Sequence, residues 1–451
     1  WRKDFKMKAE NKTFLNNLIS IAVPISLQNL IQSCLGMIDQ IMIGQLGSKT
    51  VAAVSLAGRP CFVMLFALGG IAAASSIFAS QYEGAKDSSK HANVMRASVF
   101  AALAVALVFL IFSLFTPELV LSFFTKDTEV ISIGKNYLRI NSLSYFALAI
   151  ISCCSAILRS TGFAKTTLVT GFISVAINTV LNAIMIFGLL GFPALGSDGA
   201  AIATVISIFV QCVILIIFMI RKNHPANMKA VLLCKNDFSF LKIFFITALP
   251  AIGNELLWAL GDAGYSAIYG HMGTAELAAI TLTFPVQGLT IGFFSGLSAA
   301  TGILIGNELG SNDFDKGYAL AWKFIKICVA GCAVIGILIF IFAPIYTRFY
   351  NVEPQVREYA NHLLWIFAFY LWIKVCNMII GSGILRSGGK TKFTLFLDVL
   401  GTYGIGLPLG LLGALIFKLE ITKVYALLSV EEIVRLVIGT ARVKSRKWID
   451  N

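Results

Sequence analysis

Residues 24–57 read PISLQNLIQSCLGMIDQIMIGQLGSKTVAAVSLA. A proline opens the stretch and a single acid, Asp39, interrupts an otherwise uncharged run. Gly44 and Gly47 close that run before a second apolar segment begins. Extended backwards, the run starts at Phe14, so 14–43 carries one charge in more length than the about 20 residues a helix needs to cross a bilayer. Residues 97–116, 166–197 and 200–220 contain no charge at all. Across the 451 residues, 57% are hydrophobic and 13% charged, about half the charge of a soluble domain. Period-two alternation, the mark of a membrane barrel, is absent. Backbone groups in hydrocarbon must then pair within their own segment, which makes the spans helices. The fold class is an all-α polytopic membrane protein.

Twelve spans are expected, at about 14–43, 50–81, 93–116, 131–158, 166–190, 198–220, 239–270, 276–307, 320–344, 356–385, 392–416 and 421–441. With the N-terminus placed in the cytoplasm, the inner segments hold 25 Lys and Arg and the outer loops 8, a strong positive-inside bias. Both termini are therefore expected in the cytoplasm and the chain in the cell membrane. The basic stretch 1–12 precedes a run too long for a signal-peptide core, so no cleavable signal is expected, and the start at Trp1 suggests a trimmed N-terminus. The net charge of +13 sits beside anionic lipid headgroups. Basic residues spread over many short loops do not make a nucleic-acid surface. Eight of the nine cysteines (Cys34, Cys61, Cys153, Cys154, Cys212, Cys328, Cys332 and Cys376) lie in apolar runs and Cys234 in a polar loop, with neither metal-ligand spacing nor a disulfide framework.

The chain repeats itself. At an offset of 226, residues 24–87 align without a gap on 250–313: Pro24 on Pro250, Gly44 on Gly270, Gly47 on Gly273, Gly70 on Gly296 and Gly84 on Gly310. At 227, ILRSTGFAKTTL (157–168) aligns on ILRSGGKTKFTL (384–395). Six spans separate each segment from its copy, so the copies share one orientation, a parallel repeat. The repeat implies two pseudo-symmetric six-helix lobes, at 1–221 and 239–451, joined by a cytoplasmic linker at 222–238. One chain supplies both halves of a cleft, so a monomer is expected.

The opening stretch, with GNELLWALGDAGYSAIYGHMGTAELAAI (253–280), both ILRS loops and GAAIAT (199–204), resembles the multidrug and toxic compound extrusion (MATE) transporters over nearly the whole chain. The resemblance implies twelve spans in two lobes and alternating access. It also implies that Asp39, Asn178, Asn182 and Thr204, with the Ala200 carbonyl, surround a Na⁺ or a proton. Where some members of that family have an acid, this chain has Asn182, so Asp39 is the one titratable member of the set. No metal beyond such a Na⁺, and no cofactor, is implied.

Residue chemistry adds to this. A carboxylate at the depth of Asp39 costs a few kcal/mol and faces the bundle interior; an outer helix cap is the plainer alternative. Asn178 and Asn182 stand one turn apart on one helix face, where asparagines also serve as interhelical glue. In the second lobe Glu255 and Asp262 are two turns apart on one face, and Lys374 lies midway along the tenth span. An unpaired lysine there is costly, so Lys374 is expected to neutralise Glu255 or Asp262, with Asp398 as a third choice. Such a lysine departs from the acidic pattern the family commonly has there. Trp258, Tyr265, Phe284, Phe293, Phe294, Trp365, Tyr370 and Trp372 suit flat lipophilic cations, although packing explains most of them. Pro24 and Pro250 are hinge candidates, and Arg159 and Arg386 are expected as cytoplasmic interface anchors. No Walker A motif, nucleophile elbow or paired-histidine helix occurs, so nothing points to an enzyme. The function expected is a secondary-active efflux antiporter exchanging amphipathic, often cationic compounds for Na⁺ or H⁺. The alternative is a lipid-linked saccharide flippase of related architecture.

Overall fold

The computed structural model describes residues 2–233, 237–350 and 352–449, with the side chains of all of these except 2–11, 34, 37, 228, 232 and 233. Cys234 and Lys235 lie outside the described residues, as do the side chains of Cys34, Arg2, Lys3, Lys6 and Lys8. Among the described residues there are helices and no strand. The first lobe runs α1 (Arg2–Gly44), α2 (Ser48–Gly84), α3 (Ser88–Phe115), α4 (Thr128–Ser142 and Tyr145–Ser160), α5 (Ala164–Phe187) and α6 (Gly196–Arg221). The second runs α7 (Phe238–Met272), α8 (Thr274–Gly310), α9 (Phe314–Arg348), α10 (Pro354–Leu385), α11 (Thr391–Ile416) and α12 (Ile421–Leu428 and Val430–Lys444).

Among the described residues ten helices are long and apolar enough to cross a membrane by themselves, or eleven if the two halves of α4, bent by 47°, form one span. The twelfth expected span, 421–441, is the pair of short helices in α12, which meet at Ser429. Local chemistry sets the ends. Asp127 accepts the backbone N–H groups of Glu129 and Val130 to start α4, and Gly188 adopts φ 71° to stop α5.

Packing divides the chain into two compact units, one spanning Leu27–Ile252 and the other combining the chain up to Ser26 with everything from Gly253 onward. The division differs from a cut at the 222–238 linker: it falls inside α1 and α7, two residues after Pro24 and Pro250, at positions the 226 offset relates. Each unit thus takes in a half-helix from the other end of the linker. In the Leu27–Ile252 unit, Phe240, Phe244 and Ala248 join a core of Met64, Leu68, Ile71, Met95, Tyr145 and Ile157. In the other unit, Leu18, Ile21 and Ile25 join Phe324, Phe367, Leu371, Ile384 and Trp448.

The same glycine seats the half-helix in both units. A Cβ on Gly70 would lie 2.8 Å from the Ala251 carbonyl carbon, and one on the repeat-related Gly296 would lie 2.9 Å from the Ser26 nitrogen. Ser26 Oγ adds a hydrogen bond to the Phe293 carbonyl at 2.6 Å. The bare backbone at these positions permits helix contact that small residues favour in membranes.

At the loop following α6, the imidazole of His224 is 3% exposed. Its Nε2 lies 3.0 Å from the Thr161 hydroxyl, and its Nδ1 accepts the Ala226 N–H. Burial, and then the charge of neighbouring His91, push His224 down from 6.5 to about 4.

This packing has two testable outcomes. Gly70→Ala and Gly296→Ala should each lower stability by about 2 kcal/mol, read as the thermal midpoint of the detergent-purified protein. Gly36→Ala, where a Cβ meets nothing within 4 Å, should not. The second concerns pH. Between pH 6.5 and about 4 the unfolded chain binds a proton at position 224 that the folded one refuses, so stability falls as pH falls through that window and levels off below it. His224→Gln should remove this component, on the order of 1–3 kcal/mol across the window.

Candidate functional site

The Leu27–Ile252 unit brings five of the expected residues into one chain of hydrogen bonds. The Asn182 amide nitrogen on α5 donates to Asp39 Oδ1 on α1 at 2.7 Å and to Asn178 Oδ1, one turn back on α5, at 3.1 Å. Asn178 in turn donates to the Thr204 hydroxyl on α6 at 3.2 Å, and Thr204 donates to the Ala200 carbonyl at 2.9 Å. Asn178, Asn182 and Ala200 are almost fully buried. Because both Asn182 amide hydrogens are engaged, its orientation is fixed, and its Oδ1 is left buried with no partner. An orphaned carbonyl oxygen beside a carboxylate invites a cation or a hydrogen-bond donor.

These groups open on a cavity of about 410 Å³ lined by Asp39, Asn182, Ala200 and Thr204 together with Tyr137 and Arg59. Residues of α2 reach it because the helix is interrupted at Gly58. Pro60, just beyond, has no N–H for the carbonyl four residues back. Neither Tyr137 nor Arg59 was singled out from sequence. For Arg59 a signal existed: of the 36 basic residues all but Arg59, Lys374 and Arg435 fall in segments at one or other membrane surface.

In the other unit the expected pairing is overturned. Glu255 pairs with Arg386 at 3.0 Å, and Asp398 pairs with Arg435 at 3.3 Å. Among the described residues Lys374 has no carboxylate within 4.0 Å, and Asp262 is exposed and unpaired. Lys374 instead acts through its field on Glu431 of α12. Arg386, expected at the headgroups, is 7% exposed. The reason lies in α10, which from Ile379 to Leu385 is a π-helix. The wider turn re-aims the residues beyond it, so Arg386 comes round to α7. Of the eight aromatic residues, Trp258, Phe284, Phe293 and Trp372 are exposed, Phe294 is core, and Tyr265 donates its hydroxyl to Glu431 Oε2 at 2.6 Å. No group of histidine, cysteine or acidic residues with metal-site geometry occurs among the described residues.

Comparison with known proteins agrees with this fold. The MatE family model matches residues 24–184 and 250–412, one match per repeat. The "Uncharacterized transporter YisQ" of Bacillus subtilis is 25% identical over 98% of this chain and 96% of its own. The "Probable multidrug resistance protein YoeA" of the same organism is 27% identical over 89% of this chain and 88% of its own. The crystal structure titled "MATE in the bent conformation" superposes with a TM-score of 0.87 at 18% identity, covering 96% of each chain.

The Glu255–Arg386 pair gives a prediction on stability. Glu255→Gln strands a buried guanidinium and should cost about 3 kcal/mol. The double change Glu255→Gln with Arg386→Met should recover most of it. A thermal unfolding midpoint that is the same for single and double variants would show the pair to be idle.

Proposed function

This chain belongs to the MatE family, the multidrug and toxic compound extrusion transporters, and from that premise we propose that it is a secondary-active antiporter whose coupling ion, Na⁺ or H⁺, binds at Asp39. The observation that carries the reading is the hydrogen-bond chain from Ala200 through Thr204, Asn178 and Asn182 to Asp39, with the carbonyl oxygen of Asn182, a residue lining the cavity, buried and without a partner. Asp39 supplies the negative charge. The Asn182 Oδ1, the Thr204 hydroxyl and the Ala200 carbonyl supply hard neutral oxygens of the type Na⁺ prefers. The same set accommodates a proton on Asp39, since the orphaned Asn182 Oδ1 is an acceptor awaiting a donor. One carboxylate in the set limits it to one monovalent ion.

The exported compounds are amphipathic and often cationic, a class in keeping with the multidrug-resistance name carried by the relative YoeA. The chain works as a monomer in the cell membrane with both termini in the cytoplasm. Pro24 and Pro250 act as hinges in α1 and α7 during alternating access, since each stands two residues before a boundary between compact units.

The test is efflux of ethidium from proteoliposomes under an imposed Na⁺ or H⁺ gradient, with wild type beside Asp39→Asn. Gradient-driven efflux should occur with one ion and fall to the vesicle leak in the variant. Efflux indifferent to the substitution would remove the ion from Asp39. Absence of efflux under either gradient, with movement of a lipid-linked saccharide, would replace the antiporter by a flippase.

A further inference from the structure

The repeat places Tyr265 where Asp39 stands, at an offset of 226, and Glu431 where Thr204 stands, at 227. In the unit that holds them these two residues meet, Tyr265 donating to Glu431 at 2.6 Å. The acid has moved from the first helix of the repeat to the sixth, and a charged cluster has grown around it. Arg435, one turn along α12, lies 3.6 Å from Glu431 and 3.3 Å from Asp398 of α11. It also donates to the Thr402 hydroxyl and the Asp398 carbonyl oxygen. Glu432 accepts from the Asn377 amide of α10 at 2.7 Å.

Asp398 and Glu431 therefore share Arg435, on which Glu432 also acts, and Lys374 of α10 is a further cation acting on Glu431. Arg386 also acts on Asp398 but is taken by Glu255. The phenols of Tyr269 and Tyr425 complete the titratable surroundings, and Asp262 points to the surface. Fully ionised, the cluster carries one negative charge in excess, and a buried excess charge is expensive.

The surroundings are built to hold this arrangement and to leave acceptor capacity in it. Asn254, 5% exposed, acts on Asp398 while its Oδ1 is buried without a partner. By contrast, the Arg435 Nε–H is a buried donor without a partner, a place for an acceptor. A small cavity of about 20 Å³ between Asn377, Asp398 and Arg435 has room for one water with three polar neighbours. From Val399 to Gly406 α11 is a π-helix, a form that recurs at functional sites. A side chain at Gly406 would run into both the Tyr265 hydroxyl and the Glu431 carboxylate.

We propose that this cluster is a second proton-binding site, in which Glu431 takes one proton from water and the excess charge is thereby discharged. Tyr265 holds Oε2 and leaves Oε1 for the proton. Nothing is oxidised or reduced; hydronium gives its proton to a carboxylate oxygen. The site goes beyond the Asp39 reading and does not depend on it. Ion occupancy is then registered separately in each repeat.

The experiment is an infrared pH titration of the protein in lipid vesicles, following the carboxylic-acid C=O band. Wild type should contain a component that Glu431→Gln removes and Asp39→Asn leaves in place. Tyr265→Phe, which deletes one oxygen and retains the ring, should move that component to higher pH by about one to two units, because the carboxylate loses a charge-assisted hydrogen bond. If Glu431→Gln disturbs folding, the shift in Tyr265→Phe decides alone. A titration unchanged by both variants would overturn the proposal and make the cluster a static ion-pair network. Loss of the band's other component in Asp39→Asn bears only on the first site.

Discussion

A charge or a peptide group in hydrocarbon has no water to turn to, and the organisation of this molecule is set by that cost. The backbone meets it by being helical through most of the apolar runs. The side chains meet it by sorting, since nearly all basic residues lie in segments at one or other surface. The three exceptions each stand near acids: Arg59 lines the cavity of Asp39, while Arg435 and Lys374 act on Glu431. Intramembrane charge thus gathers at Asp39 in the first repeat and, in the second, around Glu431 and in the Glu255–Arg386 pair.

The two repeats share a frame and differ in chemistry. Gly70 and Gly296 perform the same packing task at related positions, and the prolines of α1 and α7 stand two residues before related boundaries. At the polar positions the copies have drifted apart. The first repeat has a lone acid amid neutral amide and hydroxyl groups, whereas the second has three acids and an arginine tied to two of them. A neutral oxygen cage and a crowded ionic cluster respond differently to the same ion, so the duplication has conserved architecture more closely than electrostatics.

The fold was largely legible in the sequence, because hydropathy and the offset of 226 are properties of the chain itself. The Asp39 set was legible too, through family likeness, and Asn178 and Asn182 do share a helix face as their spacing requires. The pairing of Glu255 with Arg386 was not. Helical period gives the face of a residue only while the period holds, and α10 widens into a π-turn between Lys374 and Arg386. Glu431, Glu432 and Arg435 went unremarked because they occupy the weakest of the twelve runs, which the structure divides at Ser429. The division into units depends on which helices touch, and no local pattern encodes that.

That division bears on how the protein is made. The unit of Leu27–Ile252 lacks Phe240, Phe244 and Ala248 from its core until the ribosome has passed well beyond the first six spans. The other unit draws Leu18, Ile21 and Ile25 from the beginning of the chain, so those residues must wait in the bilayer for nearly the whole of synthesis before their partners arrive. The first unit cannot complete itself as its own six spans emerge, and the second closes only on the start of the chain. Assembly is therefore interlocked, and a nascent chain halted after the sixth span would present an open seam to the membrane.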